Sequence, residues 1–377
     1  MNPAVAPPPA SAPGPPASPP SVAGPIRPFT AEDIPAVVAL RRQLFRHTTR
    51  PGTHELATFL ARVFLANPWR DLDLPSLVHL DEAGEVCGFV GIVPRRLRFE
   101  GQAIRVAVAT QLMMRPGAPL GSGLRLVRTV FEGPQDLTLS DAANEAARRL
   151  WQRVGGTTAL PYSLYWTLPL RPARHALARF ATSPARRALA FLLRPACALI
   201  DHRSAWRAGR AAPDLADGPF DPLSELTTMN ELAAAWQLHP EYESEGLAWE
   251  LEEVARKTHL GTLTGRVVRD PRGHPIGWFL YFVNPGGVGE VVQLAARPAD
   301  QGRIVAPLVA HARARGVVAL AGRMEPQAAS ALASFGARLS WEGPWCLTHA
   351  RDPRLLAAVL RGAGFISRME GEWWLNF

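Results

Sequence analysis

Gly121-Ser122-Gly123-Leu124 stands between a long apolar run, Ile104–Met114, and a stretch with helical spacing, Leu124–Phe131. A strand that leaves through glycines into a helix can hold a phosphate. Without Cβ atoms the backbone amides approach it closely, and the helix N-terminus adds partial positive charge. Further on, Asn144-x-x-Ala147-x-x-Leu150-Trp151-x-x-Val154-Gly155-Gly156 opens a second helix right after the expected strand Asp136–Ser140. Two carboxylates near this pattern could take a proton from a reacting amine, Asp141 and Glu145. Each also has a structural reading, as a helix cap for Asp141 and as a solvent-facing first-turn carboxylate for Glu145. Thr110 and Gln111 could position a substrate, but alternation alone does not choose their face. Zinc-protease, serine-hydrolase and P-loop signatures are missing, and the ten histidines are scattered without ligand spacing, so no metal site is expected.

The elements that must position these groups follow from periodicity. The sequence predicts a short strand at 26–29 and helices carrying Ile34, Val37, Leu40 and Leu44, then Leu56, Phe59, Leu60 and Val63. Strands at 76–81, 86–93, 97–99 and 104–114 form an antiparallel meander, and a strand at 136–140 leads into a helix over 142–154. From about residue 220 the order begins again. Helical segments occupy 222–257, strands follow at 263–269, 276–283 and 289–296, then a helix at 304–315, a strand at 317–321 and a helix near 326–335. This is a weak internal repeat. It divides the chain into a Pro/Ala-rich disordered tail (1–25), a first α/β domain (26–166), an Arg-rich helical linker (167–220) and a second domain (221–377).

The formal charge of +8 has one source. Residues 166–211 hold nine arginines and a single acid, Asp201, while the rest of the chain is balanced. Within this arm Ser183-Pro184 starts a helix and Pro195 is expected to break it. Ala185, Leu189, Leu192 and Leu193 fall on one side, with Arg186, Arg187 and Arg194 on the other. A second stretch carries Arg203, Arg207 and Arg210. Three readings are open: a solvated linker over the domain seam, a helix pair lying on a membrane surface through 184–210, or an RNA-binding arm. Nucleic acid is the least favoured, because no aromatic platform is interleaved. With no apolar run long enough to span a bilayer, no signal peptide and three unpaired-looking cysteines, the expected location is cytoplasmic, with membrane-peripheral contact through the arm.

Strand, glycine turn, helix, strand and the Asn144–Gly156 helix together resemble the GCN5-related N-acetyltransferase superfamily, whose signature is Q/R-x-x-G-x-G/A followed by N-x-x-A-x-x-L-Y-x-x-x-G-F. The resemblance covers about 26–166, and 222–340 looks like a degenerate second copy. It implies two tandem domains with mixed, mostly antiparallel sheets flanked by helices and joined by the basic arm. It further implies that Met113 and Met114 supply the strand backbone beside pantetheine. Gly121, Ser122, Gly123 and Leu124 would cradle the pyrophosphate of acetyl-CoA or another acyl-CoA, with Asn144 and Trp151 beside the thioester arm.

Two departures from the signature stand out. Ala118 replaces the usual Gln or Arg, and Trp151 replaces the tyrosine that commonly protonates the leaving thiolate, which indole cannot do near pH 7. The second copy has Pro298-Ala299-Asp300-Gln301-Gly302-Arg303 where the first has its glycine turn, so it is expected to shape the acceptor site and bind no cofactor. The resulting expectation is an acyl-CoA-dependent N-acyltransferase acting on a small-molecule or envelope-precursor amine. A non-catalytic acyl-CoA-binding scaffold, suggested by Trp151, is one competing reading. A Fem-type tRNA-dependent aminoacyl transferase is another, and the terminal carboxylate of Phe377 is a further candidate base.

Overall fold

The computed structural model describes residues 25–45, 52–205 and 214–375. The expected disordered tail, save its last residue, lies outside the described residues, as do Arg207, Arg210 and Phe377. The chain begins with β1 (Ile26–Pro28), α1 (Ile34–Leu44), α2 (Thr53–Phe64), β2 (Leu77–Leu80), β3 (Val86–Phe99) and β4 (Gln102–Met114). There follow α3 (Ser122–Phe131), β5 (Leu137–Ala143), α4 (Glu145–Arg153), β6 (Thr157–Thr158), β7 (Tyr165–Pro169), α5 (Pro172–Phe180) and α6 (Pro184–Ala205). Next come β8 (Ala216–Pro219), α7 (Leu226–Ala233), β9 (Leu238–Pro240), α8 (Ser244–Ala255), β10 (Thr262–Arg269), β11 (Pro275–Val283) and β12 (Val288–Ala296). The chain closes with α9 (Val305–Ala314), β13 (Ala319–Arg323), α10 (Ala329–Ser334), β14 (Arg338–Ser340), β15 (Trp345–Ala350) and α11 (Pro353–Leu360).

These strands make two open mixed sheets flanked by helices. The first runs β1-β2-β3-β4-β5-β15-β6, with β9 joining β3, and the second runs β14-β7-β13-β12-β11-β10-β8. Among the described strands each sheet has one parallel pair, β4 with β5 and β12 with β13, and the other strand pairs are antiparallel. The two sheets share one connectivity, with an exchange between them. β7 follows the first half in sequence but pairs with β13 and β14, whereas β15 pairs with β5 and β6. Sheet membership therefore departs from the expected boundaries: 165–169 straddles residue 166 and belongs to the second sheet, while 345–350 belongs to the first. Local pattern marks a strand; its partner is chosen by pairing across the chain.

Alternation along β4 sends its side chains to opposite layers. Val106 and Val108 pack with Val37, Leu56, Leu60 and Val63 of α1 and α2, while Ala107 and Ala109 meet Leu126, Val127 and Phe131 of α3 and Trp151 of α4. Each large side chain taken from water in these layers contributes roughly 1.5–3 kcal/mol. The α1–α2 layer is continuous with Trp278, Leu280 and Phe282 of the second sheet and with Phe365, Met369 and Trp374 of the segment after α11. That segment threads between the two sheets.

The arm is a helical hairpin, α5 with α6. Asp201 turns its carboxylate onto the first amides of α5, accepting from the backbone N–H of Ala173 (2.8 Å) and Arg174 (3.1 Å). At its base Arg171 donates to the carbonyls of Val317 and Arg313, and Ala190, Phe191 and Arg194 lie across from Pro285, Gly286 and Val318. The hairpin thus rests on one end of the second sheet rather than over a seam between halves. Pro195 does not break the helix as expected: α6 runs through it. Proline removes one backbone donor, and the flanking turns carry the helix past it.

Candidate active site

The parallel ladder between β4 and β5 is short. Val106, Ala107 and Val108 pair with Leu137, Thr138 and Leu139, and beyond them the strands separate. A cavity of about 310 Å³ occupies the gap. Val127 and Val130 of α3 with Ala147 and Trp151 of α4 line it on one face of the sheet, and Arg41 and Phe45 at the end of α1 line it on the other. The cavity therefore runs through the sheet, apolar on the α3–α4 side and polar towards α1.

A bulge sets which side chains of β4 face it. Phe89 to Gly91 of β3 spans the same pairing as Met113 to Thr110 of β4, one residue more, and Gln111 takes φ 53°. The extra residue reverses parity along the strand, so Thr110, Gln111, Leu112 and Met113 all reach the cavity. Gln111 accepts from Arg41 Nη1 at 2.5 Å and donates to the carbonyl of Leu375 at 3.4 Å. Face assignment by simple alternation fails here because the alternation itself is interrupted.

Among the described residues one carboxyl lines the cavity, that of Glu372. It arrives on the C-terminal segment. Its Oε1 accepts from the Ser140 hydroxyl and from the Ala142 backbone N–H (3.1 Å), and its own N–H donates to Asp141 Oδ1 at 2.5 Å. Burial pushes the Glu372 carboxyl up to about 7, and the charge of Asp141 adds to this, against the Ser140 and Thr110 hydroxyls and the Ala142 amide. Such a group is part ionised near neutrality. No local motif marks Glu372; the only sequence signal is an acid set among Trp373, Trp374 and Leu375.

The two carboxylates singled out by sequence are placed elsewhere. Asp141 does not line the cavity and does not cap α4. Its side chain, 2% exposed, is ion-paired with Arg323 of β13. The cap belongs to Asn144, whose side chain accepts from the Ala147 N–H at 2.9 Å and which also lines the cavity. Glu145 lies at the protein surface, where hydrogen bonds from Arg148 and Arg149 hold it down at about 2. A carboxylate so paired is a poor proton acceptor at neutral pH.

Met113 and Trp151 line the cavity, both buried, and Trp151 packs edge-to-face on Phe131 at 4.9 Å. Met114 and the Gly121–Leu124 turn do not line it. The turn begins α3, whose next turn carries Val127 into the cavity wall. Gly121 has φ 83°, a left-handed conformation that a side chain would strain, and it caps the helix. The first-turn amides of Gly123 and Leu124 have no carbonyl one turn back to pair with. Ser122 is buried, and its hydroxyl has no hydrogen-bond partner among the described residues. An orphaned hydroxyl and open amides at a helix start fit a phosphate oxygen.

The corresponding gap in the second sheet is filled by the protein itself. β12 and β13 pair from Val288–Ala319 to Val291–Gly322 and then part. Beyond that point the buried Glu325 carboxylate accepts from the Leu294 N–H (3.0 and 3.1 Å) and from Gln301 Nε2 (3.0 Å). The backbone donor facing this gap is already taken.

The structure is similar to that of a GCN5-related N-acetyltransferase from Anabaena variabilis, with a TM-score of 0.56 at 12% identity, over 86% of this chain and 72% of that one. A protein of unknown function from Enterococcus faecalis, described as a probable N-acyltransferase, gives a TM-score of 0.51 at 10% identity over the same shares. No family model and no curated protein matches the sequence. At such low identity the likeness is one of fold: two mixed α/β sheets in the arrangement of the GCN5-related N-acetyltransferases.

Proposed function

We propose that this chain, folded as the GCN5-related N-acetyltransferases are, transfers an acyl group from an acyl-CoA, acetyl-CoA or a longer-chain thioester, to an amine. One observation carries the reading. The parting of β4 and β5 holds a through-sheet cavity with a buried carboxyl, Glu372, and the helix that walls this cavity begins at the glycine turn. Gly121–Leu124 would take the pyrophosphate, Met113 and Asn144 would flank the pantetheine arm, and the acceptor would enter past Arg41 and Phe45. A small-molecule or envelope-precursor amine fits this reading.

The chain's residues then have separable tasks. An amine attacks the thioester carbonyl only after losing its ammonium proton, and Glu372 accepts that proton. The nitrogen–carbon bond forms, the carbon–sulfur bond breaks, and the sulfur leaves as a thiolate that needs one proton. Trp151 cannot give it. The protonated Glu372 can, which returns the carboxylate; the second proton, shed by the nitrogen as it becomes an amide, passes to solvent, so the reaction balances as amide, free CoA and one released proton. Val127, Val130 and Trp151 keep water from the cavity on the α3–α4 side.

Incubation of the full chain with acetyl-CoA and longer acyl-CoAs, each with a mixed amine panel, tests the proposal by thiol release and by the mass of the amide. Thiol release that requires the amine supports it. Tight CoA binding with no release across the panel would favour the non-catalytic acyl-CoA-binding reading that Trp151 suggests.

A further inference from the structure

The structure assigns α6 a second role, independent of acyl transfer: we infer that it docks the protein onto an anionic lipid surface, lying in the plane of the headgroups. Leu189, Leu192, Leu193, Ala196, Leu199 and Ile200 recur at helical spacing and all face solvent, Leu192 at 73% and Leu199 at 56% exposure. The opposite side of the helix is the one that packs, through the buried Ala190 and Asp201. A helix in a folded protein ordinarily turns its apolar stripe inward; here the stripe is turned out.

Charge decides what covers it. Residues 166–211 carry nine arginines, and their only acid, Asp201, is buried against the start of α5. Arg186 borders the stripe over the ring of Phe180 at 5.2 Å, and Arg194, exposed next to the packed side of the helix, lies over Phe191 at 5.6 Å. A second copy of the chain placed against this face would oppose two strongly basic arms. The segment 1–24 contains no acidic residue and supplies no countercharge. An anionic bilayer meets both needs, taking leucine and isoleucine side chains below the headgroups while phosphates pair with the exposed guanidiniums. No helix among the described residues is long and apolar enough to cross a membrane, so α6 lies along the surface.

Flotation of the full chain with vesicles tests this, comparing phosphatidylglycerol mixed into phosphatidylcholine with phosphatidylcholine alone. The protein is expected to float with the anionic vesicles, to be released by high salt and to ignore the neutral ones. Leu192→Glu/Leu199→Glu should weaken partitioning by at least about tenfold with an unchanged melting temperature, since both side chains are exposed in the folded protein. The proposal is overturned if the wild type stays unbound, or if the variant floats equally well. It is also overturned if the wild type is a dimer that the variant makes monomeric, or if a single-stranded RNA displaces the vesicles and binds the variant as tightly.

Discussion

Asp141 on β5 of the first sheet, between the cavity-lining Ser140 and Ala142, and Arg323 on β13 of the second form an ion pair with both side chains 2% exposed, joining the halves. Asp141 also receives the backbone N–H of Glu372, and Arg323 donates to the Ile366 carbonyl at 3.3 Å. The pair therefore fixes the path of the segment that brings Glu372 to the cavity.

Asp141→Ala leaves the Arg323 guanidinium buried without its carboxylate. Breaking one side of such a pair costs about 3–5 kcal/mol. Urea unfolding should show a loss of that order, and a change below about 1 kcal/mol would mean the two halves do not depend on this contact.

Glu372→Gln keeps an acceptor for the Ser140 hydroxyl and Ala142 amide but cannot take a proton. The value of kcat/KM should fall by about 10²–10⁴. In the wild type the base must be ionised, so activity rises with pH and levels off above about 7. The variant should lose that limb; a retained limb would assign the base elsewhere.

The same carboxyl acts on stability in the opposite direction. Its folded value is raised from the ordinary 4.5 to about 7, so its contribution is fully present below 4.5 and lost as pH rises through 7. Glu372→Gln should therefore reduce the decline in urea midpoint across this window. Glu250, also raised to about 7 by burial and only partly relieved by Arg95, and Glu325, likewise raised by burial, contribute to the slope that remains.

Gly123→Glu places a carboxylate at the first turn of α3. The nearest atoms to an added Cβ are 3.5 Å away, so the fold is expected to survive. The charge would meet the phosphates of CoA and weaken binding by at least about tenfold, or about 1.4 kcal/mol. The CoA-induced rise in melting temperature should shrink accordingly, and an undiminished rise would remove the phosphate assignment.

Ser122→Ala removes a buried hydroxyl that lacks a partner among the described residues. An unsatisfied buried polar group costs about 1–3 kcal/mol, so the free protein should become more stable by about 1 kcal/mol while its CoA affinity falls. A loss of stability in the free protein would show that the hydroxyl is already bonded there.

The elements most legible in sequence were those closed over a few residues. The strand–turn–helix around Gly121–Gly123 and the Asn144 helix fold as their spacing implies, because left-handed glycines, caps and apolar periodicity act within a turn or two. The repeat of meander, long strand, helix and strand is likewise visible, but the expected strands 86–93 and 97–99 are one strand, β3, and β9 interrupts the expected helical stretch 222–257. Pro195 misled because its effect is local, a lost donor and a clash one turn back, whereas α6 continues on both sides of it over 22 residues.

What the sequence determined by itself was the α/β repeat, the glycine turn and the concentration of charge in one arm. Tertiary structure alone decided which groups surround the cavity. Glu372 meets Ser140 across 232 residues, and Arg323 meets Asp141 across 182. The exchange of β7 and β15 joins the two halves in a way neither pattern encodes. The apolar stripe of α6 was readable, but only the packing of Ala190 and Asp201 showed that it faces outward. Periodicity tells a chain what kind of surface each segment presents; which surface it is pressed against follows from the burial of the whole.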